Sequence, residues 1–233
     1  MNHFLNTNES HLVSQSLLAQ LERDPEGAYR TLCDQRNKLP TSNDFQTQLD
    51  KEKNALKQEL LSFSAAVQQF QNALPAQRSF FRGSDDAADT YRVFCAFLVQ
   101  FDSIRRSMRS DVQALLTLRE QLSRAQSAQT QLLGTLSYLL RHVASSDSQK
   151  EKLLDLQASV QESNGTTTQL EEIAKNTFSQ IHLLEKQVLV PFLRKAEELS
   201  DSKNQGASCS RTGLVSLTAA FRDKCKELLQ SLQ

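Results

Sequence analysis

FCAFLVQFDSIRRSMRSDVQALLTLREQLSRAQSAQTQLLGTLSYLLRHV, residues 94–143, decides the fold. In steps of seven it gives Phe94, Phe101, Met108, Leu115, Leu122, Gln129, Leu136 and Val143. Three residues on, a second line gives Phe97, Ile104, Asp111, Leu118, Ala125, Leu132 and Leu139. Thirteen of these fifteen positions are apolar and no proline interrupts them, which is the a/d seam of a helix packed against other helices. A straight helix drifts by about 20° per heptad, so a seam this long needs helical neighbours along its length. Asp111 and Gln129 either fix register within the seam or lie at its exposed edges. Leu98, Leu133 and Leu140 widen the apolar stripe near its ends, whereas Arg105, Arg119 and Gln126 narrow it in the middle. A bundle at each end with a thinner waist is expected.

Towards the N-terminus, Leu12, Val13, Leu17, Leu18 and Leu21 predict a short amphipathic helix. Asp24-Pro25 then caps and opens a second one that carries Tyr29, Leu32 and Cys33 inward and stops at Leu39-Pro40. Neither is long enough to stand alone in water, so the pair reads as a docked hairpin. After the capping cluster Thr41-Ser42-Asn43, a longer helix carries Leu49, Leu56, Leu60, Phe63, Val67, Phe70 and Leu74. Asp50, Lys51, Glu52, Lys53, Lys57 and Glu59 are expected on its outer face. Pro75 ends it. In the connector that follows, Phe80 and Phe81 lie between Arg78 and Arg82; they are expected to fold over the bundle end, the other reading being a wedge for a membrane or a partner.

Towards the C-terminus, Ser145 to Ser148 make a turn and cap, giving an antiparallel hairpin. The next helix carries Leu153, Leu156 and Val160, weakens across Ser163 to Thr168, and recovers with Leu170, Ile173, Phe178, Ile181, Leu184 and Val188. The heptad phase survives the weak patch, which predicts one helix with a frayed or kinked centre. Pro191 predicts a bend, because it removes one hydrogen bond. Ser200 to Thr212 has linker chemistry, and a final helix puts Leu214, Leu217, Phe221, Cys225, Leu228 and Leu232 on one face.

The fold class expected is all-α: an elongated antiparallel coiled-coil bundle of three long helices, a short N-terminal hairpin and a tethered C-terminal helix, divided 1–40, 41–200 and 201–233. Six glycines and four prolines in 233 residues agree with few turns. Twenty-seven basic residues against twenty-seven acidic ones leave no global field towards nucleic acid. No apolar run reaches the length of a membrane span, and Met1 to Asn8 lacks signal-peptide character, so a cytoplasmic setting is expected, with cytoskeletal or nuclear ones included. The four cysteines have no metal or redox spacing and read as reduced thiols.

Catalytic chemistry is not legible. The glycines form no phosphate loop, and His3, His11, His142 and His182 form no paired ligand set. Glu171-Glu172 and Glu197-Glu198 diverge by about 100° on a helix. No catalytic residue, metal or cofactor is therefore expected. Arg105, Arg106 and Arg109 read as a solvated face balanced by nearby acids rather than as a phosphate site. The function expected is a non-catalytic scaffold or adaptor subunit, with other helical proteins or a second copy as partners and a membrane surface not favoured. The interaction candidates are Phe94, Phe101, Met108, Leu115 and Leu122 on the seam, and Leu214, Leu217, Phe221 and Leu228 on the final helix.

Helices of roughly 30, 60 and 50 residues with a proline at 191 are also similar to the BAR-domain plan, from Asp44 to Leu199. That resemblance implies a dimeric membrane-curvature module. The balanced charge departs from the basic face such modules carry. A phosphorelay module would need a marked reactive histidine; His142 and His182 are the placed candidates, and neither has marking neighbours.

Overall fold

A computed structural model describes residues 3–74, 83–142, 147–201 and 211–232. The Phe80-Phe81 connector, the turn at Ser145-Ser146, Val143 and the loop containing Cys209 lie outside the described residues. The fold is an all-α helical bundle, with no strand among the described residues. Its helices are α1 (His3–Arg23), α2 (Pro25–Asn37), α3 (Ser42–Ala73), α4 (Gly83–His142), α5 (Asp147–Leu184), α6 (Val190–Asp201) and α7 (Arg211–Ser231), with a π-helical turn Glu185–Leu189 between α5 and α6. Contacts divide the chain into two compact units, one of residues 1–49 and 117–174, the other of residues 50–116 and 175–233.

In the first unit, Leu17 and Leu21 of α1 and Ala28 and Leu32 of α2 pack with Leu132, Leu136 and Leu139 of α4 and with Leu153, Leu156 and Val160 of α5. This is the docking that two short helices need to be stable. Asp24 accepts the Gly27 N–H at 3.0 Å and Pro25 occupies the first turn of α2, where its missing donor matters least. Two details of α1 correct the sequence reading. The helix already runs from His3, and Val13 is exposed while Ser14 is buried. Ser14 donates to Thr135 at 3.4 Å, so a polar pair takes that place in the core.

The heptad seam of α4 is buried as its period requires: Phe94, Phe101, Leu115, Leu118, Leu122, Leu136 and Leu139 have no exposed surface. Gln129 is equally buried, so it does not lie at an exposed edge. Its Nε2 donates to Ser163 Oγ at 2.9 Å and to Thr167 Oγ1 at 3.2 Å. Thr167 spends its own hydrogen on the Ser163 carbonyl at 2.9 Å, which fixes the amide's orientation. Oε1 is then left buried without a protein partner.

The patch Ser163 to Thr168 is not frayed; α5 passes through it as α-helix. Thr166, Thr167 and Thr168 each bond the carbonyl four residues back, at 3.1, 2.9 and 2.8 Å, so their hydroxyls bond along the ladder instead of breaking it. Gln126 donates to Thr168 and Gln157 to Ser137. Those pairs run α4 and α5 antiparallel in this unit.

In the second unit, α3 also runs antiparallel to α4, through Ser107 donating to Glu59 and Gln100 donating to Gln69. The core is aromatic. Phe101 lies 5.0 Å from Phe63, 4.8 Å from Phe192 and 5.3 Å from Phe221, ring centre to ring centre, and Phe97 joins it to Phe70 and Phe94. Such offset and edge-on pairs add to the burial of the rings themselves. Glu52 corrects the expectation of an outer charged face. It lies between Leu49 and Leu56 on the apolar stripe and is only 6% exposed. Asp111 is half-buried on α4, where burial first, then the charges of Glu59 and Glu52, push its carboxyl above the ordinary value.

Candidate functional site: an apolar groove beside Pro191

Pro191 has no N–H, and inside an α-helix its ring clashes with the carbonyl four residues back. The chain answers with the π-helical turn Glu185–Leu189, in which the Val190 N–H reaches the Glu185 carbonyl five residues back. Arg109 holds the start of this turn from α4, its Nη2 3.5 Å from Glu185 Oε1. Position 191 donates nothing, so the Gln187 carbonyl loses the bond that α-helical spacing would give it.

The final helix docks on the same unit. Leu214, Phe221 and Cys225 are buried, and the buried Thr218 hydroxyl is satisfied by the Leu214 carbonyl at 2.9 Å. Burial pushes the Cys225 thiol up to about 12, a packed and unreactive state. Arg222 donates to Gln71 of α3 at 3.4 Å.

Between these elements lies an apolar groove of about 610 Å³. One wall is a helical stripe spaced by threes and fours, Gln180, Leu183, Leu184, Gln187, Val188 and Pro191. The other is Leu217, Ala220, Phe221, Lys224, Leu228 and Ser231 of α7, with Glu227 beside them. Phe192 meets Phe221 at 5.1 Å, and the two stripes border one groove along their lengths only if α7 runs antiparallel to the opposite wall. Leu183 is 51% exposed although it is large and apolar. Lys224 and Glu227 pair with each other at 2.6 Å, both largely in solvent.

The sequence candidates divide accordingly. Phe94, Phe101, Met108, Leu115, Leu122, Leu214 and Phe221 are at most 2% exposed and fill the chain's own core. Leu217 and Leu228 are half-buried and line the groove. Gln180, Leu183, Gln187 and Val188 were not among the candidates. Their spacing by threes and fours, Gln180, Leu183, Gln187 and Pro191 with Leu184 and Val188, marks that face in the sequence.

The other sequence features are placed elsewhere. Arg106 pairs with Asp102 at 3.0 Å and Arg109 with Glu185, while Arg105 is half-buried. His142 lies against Tyr138 and His182 stacks on Phe178. Among the described residues, no three His, Cys, Asp or Glu side chains are grouped to hold a metal ion, and no helix is long and apolar enough to cross a membrane. No protein-family model, curated protein or solved structure matches the chain.

Proposed function

We propose that the chain is a non-catalytic scaffold or adaptor subunit that holds a protein partner by helical packing, and that the groove between the Pro191 segment and α7 is where the partner sits. One observation carries this reading. Two helical stripes of the same spacing face each other across about 610 Å³ and leave a half-exposed leucine, Leu183, between them. A third helix laid there would interlock with both walls as a helix does in any bundle. The internal seam does not compete for this role, because its side chains already touch one another.

The test uses the full chain with a photoreactive residue at Ala220 on the groove wall, and a control with the same residue at Val99, which is 72% exposed and does not line the groove. A protein crosslinked from Ala220 but not from Val99 is purified and its affinity measured. Leu183→Glu and Ala220→Arg should weaken that complex by at least tenfold while leaving the helical melting curve unchanged. If both variants bind the purified partner as the parent does, the groove is not the docking surface.

A further inference from the structure

We propose that Asn164 is a self-modification site. When α5 opens locally, the Gly165 main-chain nitrogen closes on the Asn164 side chain and converts it to aspartate or isoaspartate, which breaks the pairing of α5 with α4 at that level.

The chemistry lies in one dipeptide. The Gly165 nitrogen attacks Asn164 Cγ, the new C–N bond closes a five-membered imide, the Cγ–Nδ2 bond breaks, and ammonia leaves with the proton of the attacking N–H. Water then adds to either imide carbonyl. Opening at the side-chain carbonyl gives aspartate, and opening at the main-chain carbonyl gives isoaspartate, so one water is consumed and one ammonia released. A side chain on the following residue hinders the attack, and Asn164 is the asparagine of this sequence that glycine follows.

The surroundings of this dipeptide leave the helix itself as the restraint. Gly165 lies inside α5, and a β-carbon built on it meets no atom within 4 Å. Neither packing nor backbone conformation asks for glycine there, yet glycine loosens a helix. Thr166, Thr167 and Thr168 follow, each a weak helix former whose hydroxyl bonds one turn back, which loosens the helix slightly further. Asn164 Oδ1 is buried and accepts no hydrogen bond, so no donor holds that carbonyl away from the neighbouring nitrogen. In the closed helix the Gly165 N–H is committed to the Gln161 carbonyl, and ring closure requires Asn164 to leave the helical ψ. The reaction therefore proceeds from the opened turn.

The contacts on either side give the consequence. Thr168 donates to the Asn164 carbonyl and accepts from Gln126, both at 2.8 Å, while Gln129 donates to Ser163 and Thr167. Isoaspartate inserts a methylene into the main chain between Ser163 and Thr167. The two hydroxyls that share the Gln129 amide then no longer stand one helical turn apart.

The experiment keeps the full chain in neutral buffer for weeks, folded or in urea. Peptide mass spectrometry with an isoaspartate-specific methyltransferase reads residue 164, and hydrogen exchange at the Gly165 amide of the fresh chain gives the fraction of time the turn is open. In urea Asn164 should convert ahead of the other asparagines. In the folded chain it should convert more slowly, by the factor that exchange gives, within about threefold. Thr166→Ala tightens the turn without touching a reacting atom and should slow exchange and conversion together, about twofold. The isoaspartate form, isolated by ion exchange, should lose exchange protection around Thr167. Equal rates in the folded and unfolded chains overturn the proposal, as does a Thr166→Ala variant that slows exchange but not conversion. A Gly165 amide that exchanges only when the whole fold opens, or an isoaspartate form as protected as the fresh chain, also overturns it.

Discussion

Gln129 offers the sharpest test of how the bundle is held. Its side chain is fully buried, gives two hydrogen bonds through Nε2 and leaves Oε1 without a protein partner. Gln129→Leu removes two bonds of about 1 kcal/mol each, removes an orphaned acceptor that costs about 1–3 kcal/mol, and adds a buried leucine of about 1.5–3 kcal/mol. The balance is a gain of about 0.5–4 kcal/mol. Thr167 still donates to the Ser163 carbonyl, so its hydroxyl is not stranded. Gln129→Ala removes the same polar atoms but leaves a cavity, and should lose about 1–2 kcal/mol instead. Hydrogen exchange at the α5 amides around Thr167 reads this unit locally, and urea unfolding checks the midpoint at constant slope. A leucine variant as unstable as the alanine variant would refute the reasoning, because it would make the amide a net stabiliser. The leucine variant should also exchange its register more freely, since a buried polar contact no longer selects one alignment of α4 on α5.

Phe101→Ala should cost about 3–5 kcal/mol in urea unfolding, because the ring touches Phe63, Phe97, Phe192 and Phe221; a loss below about 1 kcal/mol would mean that this cluster is not a tight core. Asp111 has its pKa raised from 3.8, so the folded chain holds that proton more tightly than the unfolded chain. Its contribution is full in acid below 3.8 and is lost as the pH rises through the raised value. Asp111→Asn should therefore stabilise at neutral pH and have little effect at pH 3, and a pH-independent effect would remove burial of the charged carboxylate, with the charges of Glu59 and Glu52, as its cause. Cys225, with its thiol pushed up to about 12, should resist alkylation at pH 8 until the chain is unfolded, as read by peptide mass spectrometry; rapid labelling of the native chain would show that α7 leaves its dock.

The long seam was legible because burial imposes a period, and Phe94 to Leu139 keep that period along most of α4. Its two polar members looked alike in sequence but have different surroundings. Gln129 meets hydroxyls of Ser163 and Thr167, residues more than thirty positions away, whereas Asp111 is half-buried within the field of Glu59 and Glu52. Local reading has no access to either neighbourhood. Glu52 stood on the apolar stripe by spacing and off it by charge, and the spacing prevailed. Thr166 to Thr168 are weak helix formers, yet bonding to carbonyls one turn back keeps them in the helix. Pro191 announced a disturbance without saying which kind. The groove needed tertiary structure most of all, since Leu183 and Leu228 read as ordinary apolar positions until α7 is docked with space left beside it.

The π-helical turn also tells how the chain would tolerate loss of a codon. Elsewhere in α5, deleting one residue rotates everything beyond it by about 100° about the helix axis and would swing Phe192 out of the aromatic core. Within Glu185–Leu189 the backbone holds one residue more than an α-helical path between the same two ends requires. A deletion there leaves both flanks in phase, at the cost of returning Pro191 to an α-helical path in which its ring meets the carbonyl four residues back. The sequence around Lys186 is thus the stretch of this long helix where length can change while the core stays in register.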